Sequence, residues 1–289
     1  MRDWIRLLRT QHWSKNGFVL APLLFSGHGL ERTAIEHALT AAVAFCLVSS
    51  GVYAINDVAD AAEDRQHPVK KERPVAAGRI SAATATWTGV LLIVAALAIA
   101  WSVRPLLAAV VGAYVALNVL YTLWLKRLVL LDVFAIATFF VLRLLAGAAA
   151  VSVKPSVWLL LCGGLLALYL GFAKRRHELL LLGDASSDHR SVLSHYSPAF
   201  LDQMSTVLLS VTIVSYIMYS LTSDTAQKVG SEALSYSTAF VLYGVFRYLY
   251  LVHQRDLGSP TETVLTDPPL LLDVALWLAY CGWVVYRAA

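Results

Sequence analysis

Long apolar runs recur along this chain, and they constrain its fold more than any other feature. Stretches of about 18 or more residues with few charges match a hydrocarbon core roughly 30 Å thick. Composition points the same way: of the 289 residues, 58% are hydrophobic and 15% charged, with a mean hydropathy of +0.64. A soluble domain is nearer half apolar and a quarter charged. Collagen-like, disordered and disulfide-stapled chains are excluded too, since Gly and Pro are ordinary and Cys is scarce. Cys46, Cys162 and Cys281 sit in separate apolar runs and read as small buried hydrophobes. The pattern predicts an all-α, polytopic membrane protein.

Helical periodicity and hydropathy place about nine spans, near 14–30, 34–57, 81–101, 104–125, 129–151, 156–174, 200–222, 235–253 and 269–287. The first is interrupted by Pro22 and Gly27. No strand alternation or internal repeat stands out. The chain reads as one transmembrane domain, 1–289, around a polar cavity that faces the cytoplasm. Residues 1–13, with Arg2, Arg6 and Arg9 set between Trp4, Ile5, Leu7 and Leu8, read as an amphipathic interfacial segment rather than a signal peptide. With the N-terminus in the cytoplasm, sixteen of the 23 Lys and Arg fall inside. The positive-inside rule therefore orients the chain. Most acidic residues fall on the same side, which that rule does not require. Both signs of charge on one face mark it as a working surface. The expected location is the cell (inner) membrane, with the chemistry cytoplasmic.

The most informative segment is Asn56-Asp57-Val58-Ala59-Asp60-Ala61-Ala62-Glu63-Asp64-Arg65. On a helix, Asp57, Asp60 and Asp64 share one face. Three carboxylates so placed either form a solvated helix end or gather around a cation. Hard oxygen ligands suit Mg2+, which favours a few carboxylates plus substrate phosphate oxygens. The loop that follows, His67 to Arg79, carries Lys70, Lys71, Arg73 and Arg79. These cations serve topology, or they neutralise phosphate charge left uncovered by the metal. Arg73, restricted by Pro74, is the best placed of them for phosphate.

At these residues the chain resembles the UbiA superfamily of intramembrane prenyltransferases. The NDxxDxxxD pattern of that family is met by Asn56, Asp57, Asp60 and Asp64. Within it, the chain is most similar to the decaprenyl-phosphate phosphoribosyltransferase branch. A QWxKN-like segment is matched, with one extra residue, by Gln11-His12-Trp13-Ser14-Lys15-Asn16. The HPxKxxRPxAxG pattern is met from His67 to Gly78. The resemblance extends from about residue 9 to the last span.

Enzymes of the superfamily that prenylate aromatic rings have a second Asp-rich motif after a later span. Here that place reads Gly171-Phe172-Ala173-Lys174-Arg175-Arg176-His177-Glu178, followed by Asp184, and is basic. It either anchors the sixth span or receives another anion. The branch has a KR-x-x-E pattern that Lys174, Arg175 and Glu178 match; His177 reads as a loop histidine. Asp132 opens the fifth span as a site-rim residue. Arg143, three turns along the same face, lies within the membrane as a structural or substrate ligand. Arg247 in the eighth span is read alike. Tyr114, Asn118 and Tyr121 share a face and either line the cavity or bond between helices. Glu262 and Asp267 lie where the branch has a further acidic stretch.

The resemblance implies transfer of 5-phosphoribose from phosphoribosyl diphosphate to a polyprenyl phosphate, releasing diphosphate, for cell-envelope glycan precursors. Asn56, Asp57, Asp60 and Asp64 would bind Mg2+, the expected cofactor. Asp57, Asp60, Lys15, Arg73 and Lys174 would be catalytic. Asn56, Lys70, Tyr121, Lys126, Asp132, Arg143, Arg175, Glu178 and Arg247 would contact substrate. Membrane lipid is an expected partner and nucleic acid is not; a homo-oligomer is left open. The competing readings are a prenyltransferase that moves a prenyl group to an aromatic or other small acceptor, and a membrane transporter or scaffold.

Overall fold

The computed structural model describes residues 2–26, 29–182, 193, 195–222, 231–254 and 266–287. Among the described residues every regular element is a helix. Seven helices are long and apolar enough to cross a membrane: α3 (Arg32–Ala59), α5 (Ala82–Val103), α6 (Pro105–Leu123), α7 (Leu131–Val151), α8 (Val157–Leu182, spanning to Leu180), α9 (Pro198–Thr222) and α12 (Pro268–Arg287). Shorter helices are α1 (Arg2–Leu8), α2 (Ala21–Phe25), α4 (Ala61–Gln66), α10 (Ser231–Ser235) and α11 (Thr238–Gln254). The protein is a multi-pass membrane protein, and these seven helices among the described residues are roughly consistent with the expected count of about nine.

Two of the expected spans differ in form. The first is a 3-10 stretch, Thr10–Leu20, running into the short α2. A 3-10 run of this length is uncommon and needs outside support. Gly147 of α7 supplies it, since a Cβ there would stand 2.0 Å from the Val19 carbonyl oxygen. The eighth is α11, 17 residues long and carrying Arg247.

The chain divides into two compact units. The first comprises Met1–Leu23, His28–Ala135 and Leu142–Lys154; the second comprises Leu24–Gly27, Ile136–Val141 and Pro155–Ala289. In the first, α3 and α5 meet through glycines. A Cβ on Gly51 would come within 2.7 Å of the Gly89 carbonyl oxygen, so only glycine allows the backbones this close. The contact holds the lower half of α3, which carries Asn56 and Asp57, against its neighbour. The loop residues Val75 and Ile80 pack with Leu7, Ala54 and Ala85 into a small apolar cluster. That cluster fastens α1 and the 67–80 loop beside the end of α3.

In the second unit, Tyr169 and Ala173 of α8 pack with Leu209 of α9, Tyr248 and Leu251 of α11, and Leu270 of α12. Tyr216, Tyr219, Leu234, Cys281 and Val284 form a second apolar cluster there.

Candidate functional site

The site begins where α3 ends. The helix stops at Ala59, Asp60 takes φ −91° and ψ 0°, and α4 restarts at Ala61. The continuous helical stripe expected for Asp57, Asp60 and Asp64 is therefore broken at its middle residue. Each carboxylate turns to its own cation. Asp57, 1% exposed, accepts from Arg9 at 2.5 Å, with Arg73 at 3.4 Å. Arg73 also donates to Asp64 at 2.7 Å. Lys126, in the turn after α6, reaches Asp60 at 2.7 Å. Asn56 accepts from the Thr122 hydroxyl at 2.8 Å, which fixes its amide against α6.

Two features of this cluster bear on ligand binding. The Asp57 Oδ2 atom is buried and has no hydrogen-bond partner among the described residues. Lys15, on the 3-10 stretch outside the seven spans, has no carboxylate partner among them either. Its ammonium is held down to a pKa of about 8, first by burial and then by the neighbouring Arg143 and Arg9 charges. Cations crowded around an unpaired lysine favour an anion.

Behind Lys15 lies a polar network at membrane depth. Arg143, 3% exposed, donates Nε–H to Asn16 Oδ1 at 2.8 Å and Nη2–H to the Tyr114 hydroxyl at 3.2 Å. Its guanidinium lies 5.1 Å from the Tyr114 ring centre. The Asn16 amide in turn donates to Cys46 and Ser49 of α3. Asn118 donates to the Tyr114 carbonyl, so it serves its own helix. Asp132 is fully buried in the first turn of α7, and Tyr121 is partly buried on α6. Lys70 is partly buried, with its backbone N–H donating to His67 Nδ1.

Lys174, Arg175, Glu178 and Arg247 belong to the second unit. Arg175 is buried and donates to Glu178, while Lys174 is half exposed and 3.9 Å from the same carboxylate. Arg176 pairs with Asp202 of α9 at 2.6 Å. Arg247 donates twice to Asp267, at 3.0 and 2.9 Å, and Asp267 Oδ2 also accepts from the Leu270 N–H at the start of α12. Arg247 thus acts as a clamp on a helix start. Asp184 and Glu262 lie outside the described residues.

Sequence reasoning missed Arg9. The sequence pattern marks it only as a basic residue of the interfacial segment, yet it pairs with Asp57 at 2.5 Å. Its backbone is left-handed, φ 50°, which no sequence pattern announced. Thr122 as the Asn56 partner and Asn16 as the Arg143 partner were likewise invisible.

A metal ion fits this arrangement in a particular way. Among the described residues, no three His, Cys, Asp or Glu side chains are gathered closely enough to enclose a metal. Mg2+ does not require such a cage, because it commonly uses one or two carboxylates with waters and substrate phosphates. The open, buried Oδ2 of Asp57 is the ligand atom such a site needs.

Membrane helices, a carboxylate motif at a helix end and cations drawn around it together define a membrane transferase of the UbiA type. The UbiA prenyltransferase family model matches residues 17–283, and the chain belongs to that family. It is 31% identical to the decaprenyl-phosphate phosphoribosyltransferase of Mycolicibacterium smegmatis, over 98% of this chain and 92% of the relative. The enzyme of the same description from Corynebacterium glutamicum is also 31% identical, over 98% and 86%. The fold is shared with a UbiA homologue from Archaeoglobus fulgidus solved with DMAPP and Mg2+, at 20% identity, a TM-score of 0.74 and 99% coverage of both chains.

Proposed function

We propose that this chain transfers 5-phosphoribose from phosphoribosyl diphosphate to a polyprenyl phosphate at the cytoplasmic face of the cell membrane. The observation that carries the reading is the open carboxylate oxygen of Asp57, whose other oxygen faces Arg9 and Arg73, with the Lys15 ammonium in turn under the charge of Arg9. Full-length similarity to phosphoribosyltransferases of polyprenyl phosphate supports the choice of donor and acceptor.

Asp57, with Asp60, Asp64 and Asn56 completing the motif, would hold Mg2+. When bound, the metal supplies positive charge to the diphosphate as it departs. Arg73 and Lys15 bind phosphate oxygens and offset the charge that grows on the leaving group. An oxygen of the lipid phosphate forms the new bond to the anomeric carbon. The bond from that carbon to diphosphate breaks, and its electron pair leaves with diphosphate. A phosphate monoester is already ionised near neutrality, so no strong general base is needed.

Arg143 is held by Asn16 and Tyr114, which makes it a fixed positive charge behind Lys15. In the second unit, Lys174 and Arg175 are proposed as ligands for a substrate anion. An interfacial site suits the reactants, since the isoprenoid tail stays in the bilayer and the sugar donor stays in water. The excess of Lys and Arg on one side of the spans supports the cytoplasmic orientation.

The test is purified protein with radiolabelled phosphoribosyl diphosphate and a polyprenyl phosphate, with and without Mg2+. Metal-dependent entry of label into the organic phase is expected. Transfer from a labelled prenyl diphosphate instead would overturn the proposal.

A further inference from the structure

Every carboxylate of the motif faces a cation, and the cation on Asp57 is the most deliberately placed. Arg9 sits at the junction of α1 and the 3-10 stretch. Leu7, two positions before Arg9, is fully buried beside Ala54, Val75, Ile80 and Ala85, which pins the chain there. The Leu8 carbonyl accepts from the Ser50 hydroxyl at 2.8 Å, and Asp3 pairs with Arg79 at 2.8 Å. The left-handed backbone at Arg9, uncommon outside Gly, Asn and Asp, is held by these contacts. Its guanidinium lies 4.7 Å from the Tyr53 ring centre, one turn before Asp57 on α3. Tyr53 forms an apolar shelf across which the group can shift while remaining favourably placed.

Charge balance then dictates how ligands enter. A divalent cation arriving alone at Asp57 must stand beside the guanidiniums it displaces. A diphosphate arriving alone must draw Arg9 and Arg73 away and leave Asp57 and Asp64 facing its own negative charge. Arriving together, each leaves the other's displaced group with an opposite charge. Lys15, which no carboxylate among the described residues neutralises, adds one further cation toward the anion.

We infer that Arg9 is an exchange residue: it neutralises Asp57 until a divalent metal takes that carboxylate, then moves onto the diphosphate, so that metal and diphosphate bind as one coupled unit. This rests on the reading of Asp57 as a metal ligand in diphosphate transfer, and it adds a residue and a binding order to that reading. Arg73, shared between Asp57 and Asp64, would take part but keeps Asp64 as a second partner. Among the described residues, Arg9 is hydrogen-bonded to no carboxylate other than Asp57.

The experiment is titration calorimetry on the full chain in detergent, with MgCl2 alone, pyrophosphate alone, and pyrophosphate at saturating Mg2+. Free concentrations are corrected for complexation in solution. In the wild type, Mg2+ should raise pyrophosphate affinity by about 100-fold. In Arg9→Gln, Mg2+ alone should bind about 5-fold tighter, because Asp57 has lost a competitor, while the coupling falls by about 10-fold. Arg9→Lys, which keeps the charge, should restore most of it.

Independent binding of metal and pyrophosphate to the wild type would overturn the inference, whatever the variants do. Weaker Mg2+ binding in Arg9→Gln, or equal loss of coupling in the two variants, would make Arg9 a structural anchor and overturn it as well. Coupled binding of Mg2+ and pyrophosphate, with no competition from phosphoribosyl diphosphate, would leave Arg9 as inferred and refute the proposed donor.

Discussion

The ion pairs around the carboxylate motif and those of the second unit are drawn from different ranges of sequence. In the first, the carboxylates of Asp57 and Asp60 are reached by cations 48 and 66 residues away in sequence, and Asp57 keeps a buried oxygen unused. In the second, Arg175 and Lys174 pair with Glu178 within one helical turn, and Arg247 closes both of its bonds on Asp267. Asp267 also takes the Leu270 N–H, so that carboxylate is tied to a helix start. The contrast between Asp57 and Asp267 separates a charge that can be exchanged from one that serves as a clamp. A carboxylate with an open oxygen and a partly hydrated partner can trade that partner for a ligand. A bidentate pair seated on a helix start loses structure if it opens.

The largest effect that should separate the units is at Asp57. Asp57→Asn is expected to lower kcat/KM by about 1,000-fold or more, the scale of losing charge stabilisation on a leaving group. Its melting temperature should stay close to wild type. Arg9 and Arg73 are 18% and 27% exposed, so each remains in contact with water once its partner is neutral. Activity assays paired with thermal unfolding in detergent check both halves. A parallel loss of fold would place Asp57 among the clamps.

Next comes Lys126. Lys126→Met should raise KM for phosphoribosyl diphosphate by about 10-fold while leaving KM for the lipid phosphate near wild type. The reason is loss of one charge-assisted contact with phosphate when Lys126 leaves Asp60. Steady-state kinetics with each substrate varied in turn would show it. Asp267→Asn should do the reverse: it lowers the melting temperature and leaves donor KM within about twofold, because breaking a buried pair on a helix start acts on stability rather than on substrate. Changes in donor KM as large as those at Lys126 would erase the distinction between the units.

The smallest expected effect is a pH dependence from Lys15. Its ammonium, lowered to about 8, is charged below that pH and neutral above it. Anion binding favours the charged form, so donor KM should rise by about 3-fold between pH 7.5 and pH 9. Lys15→Arg, whose guanidinium stays charged, should flatten that rise. Kinetics in matched buffers at constant ionic strength would resolve it.

Much of the membrane architecture could be read from sequence, because an apolar run of span length has few alternatives. The exceptions have local causes. The first expected span folds, from Ser14 to Phe25, as a 3-10 stretch and a short helix because Pro22 interrupts it and Gly147 admits the Val19 backbone. The residue types of the carboxylate motif were legible too, and Arg73, singled out from the basic loop, stands against Asp57 and Asp64. The geometry of the motif was not, since the helix break at Asp60 leaves no mark in a pattern that suits an unbroken helix. The partners were harder still. That Arg9 and Lys126 meet Asp57 and Asp60 depends on how α1 and the turn after α6 pack, and pairings of that sequence separation are set by tertiary contacts.

The most direct test of the exchange account is anomalous scattering from Mn2+ in crystals of the full chain grown with pyrophosphate. The account predicts a manganese peak against the Asp57 carboxylate, with the Arg9 guanidinium moved from Asp57 onto a phosphate oxygen. Manganese and pyrophosphate bound elsewhere, with Arg9 still paired to Asp57, would contradict it.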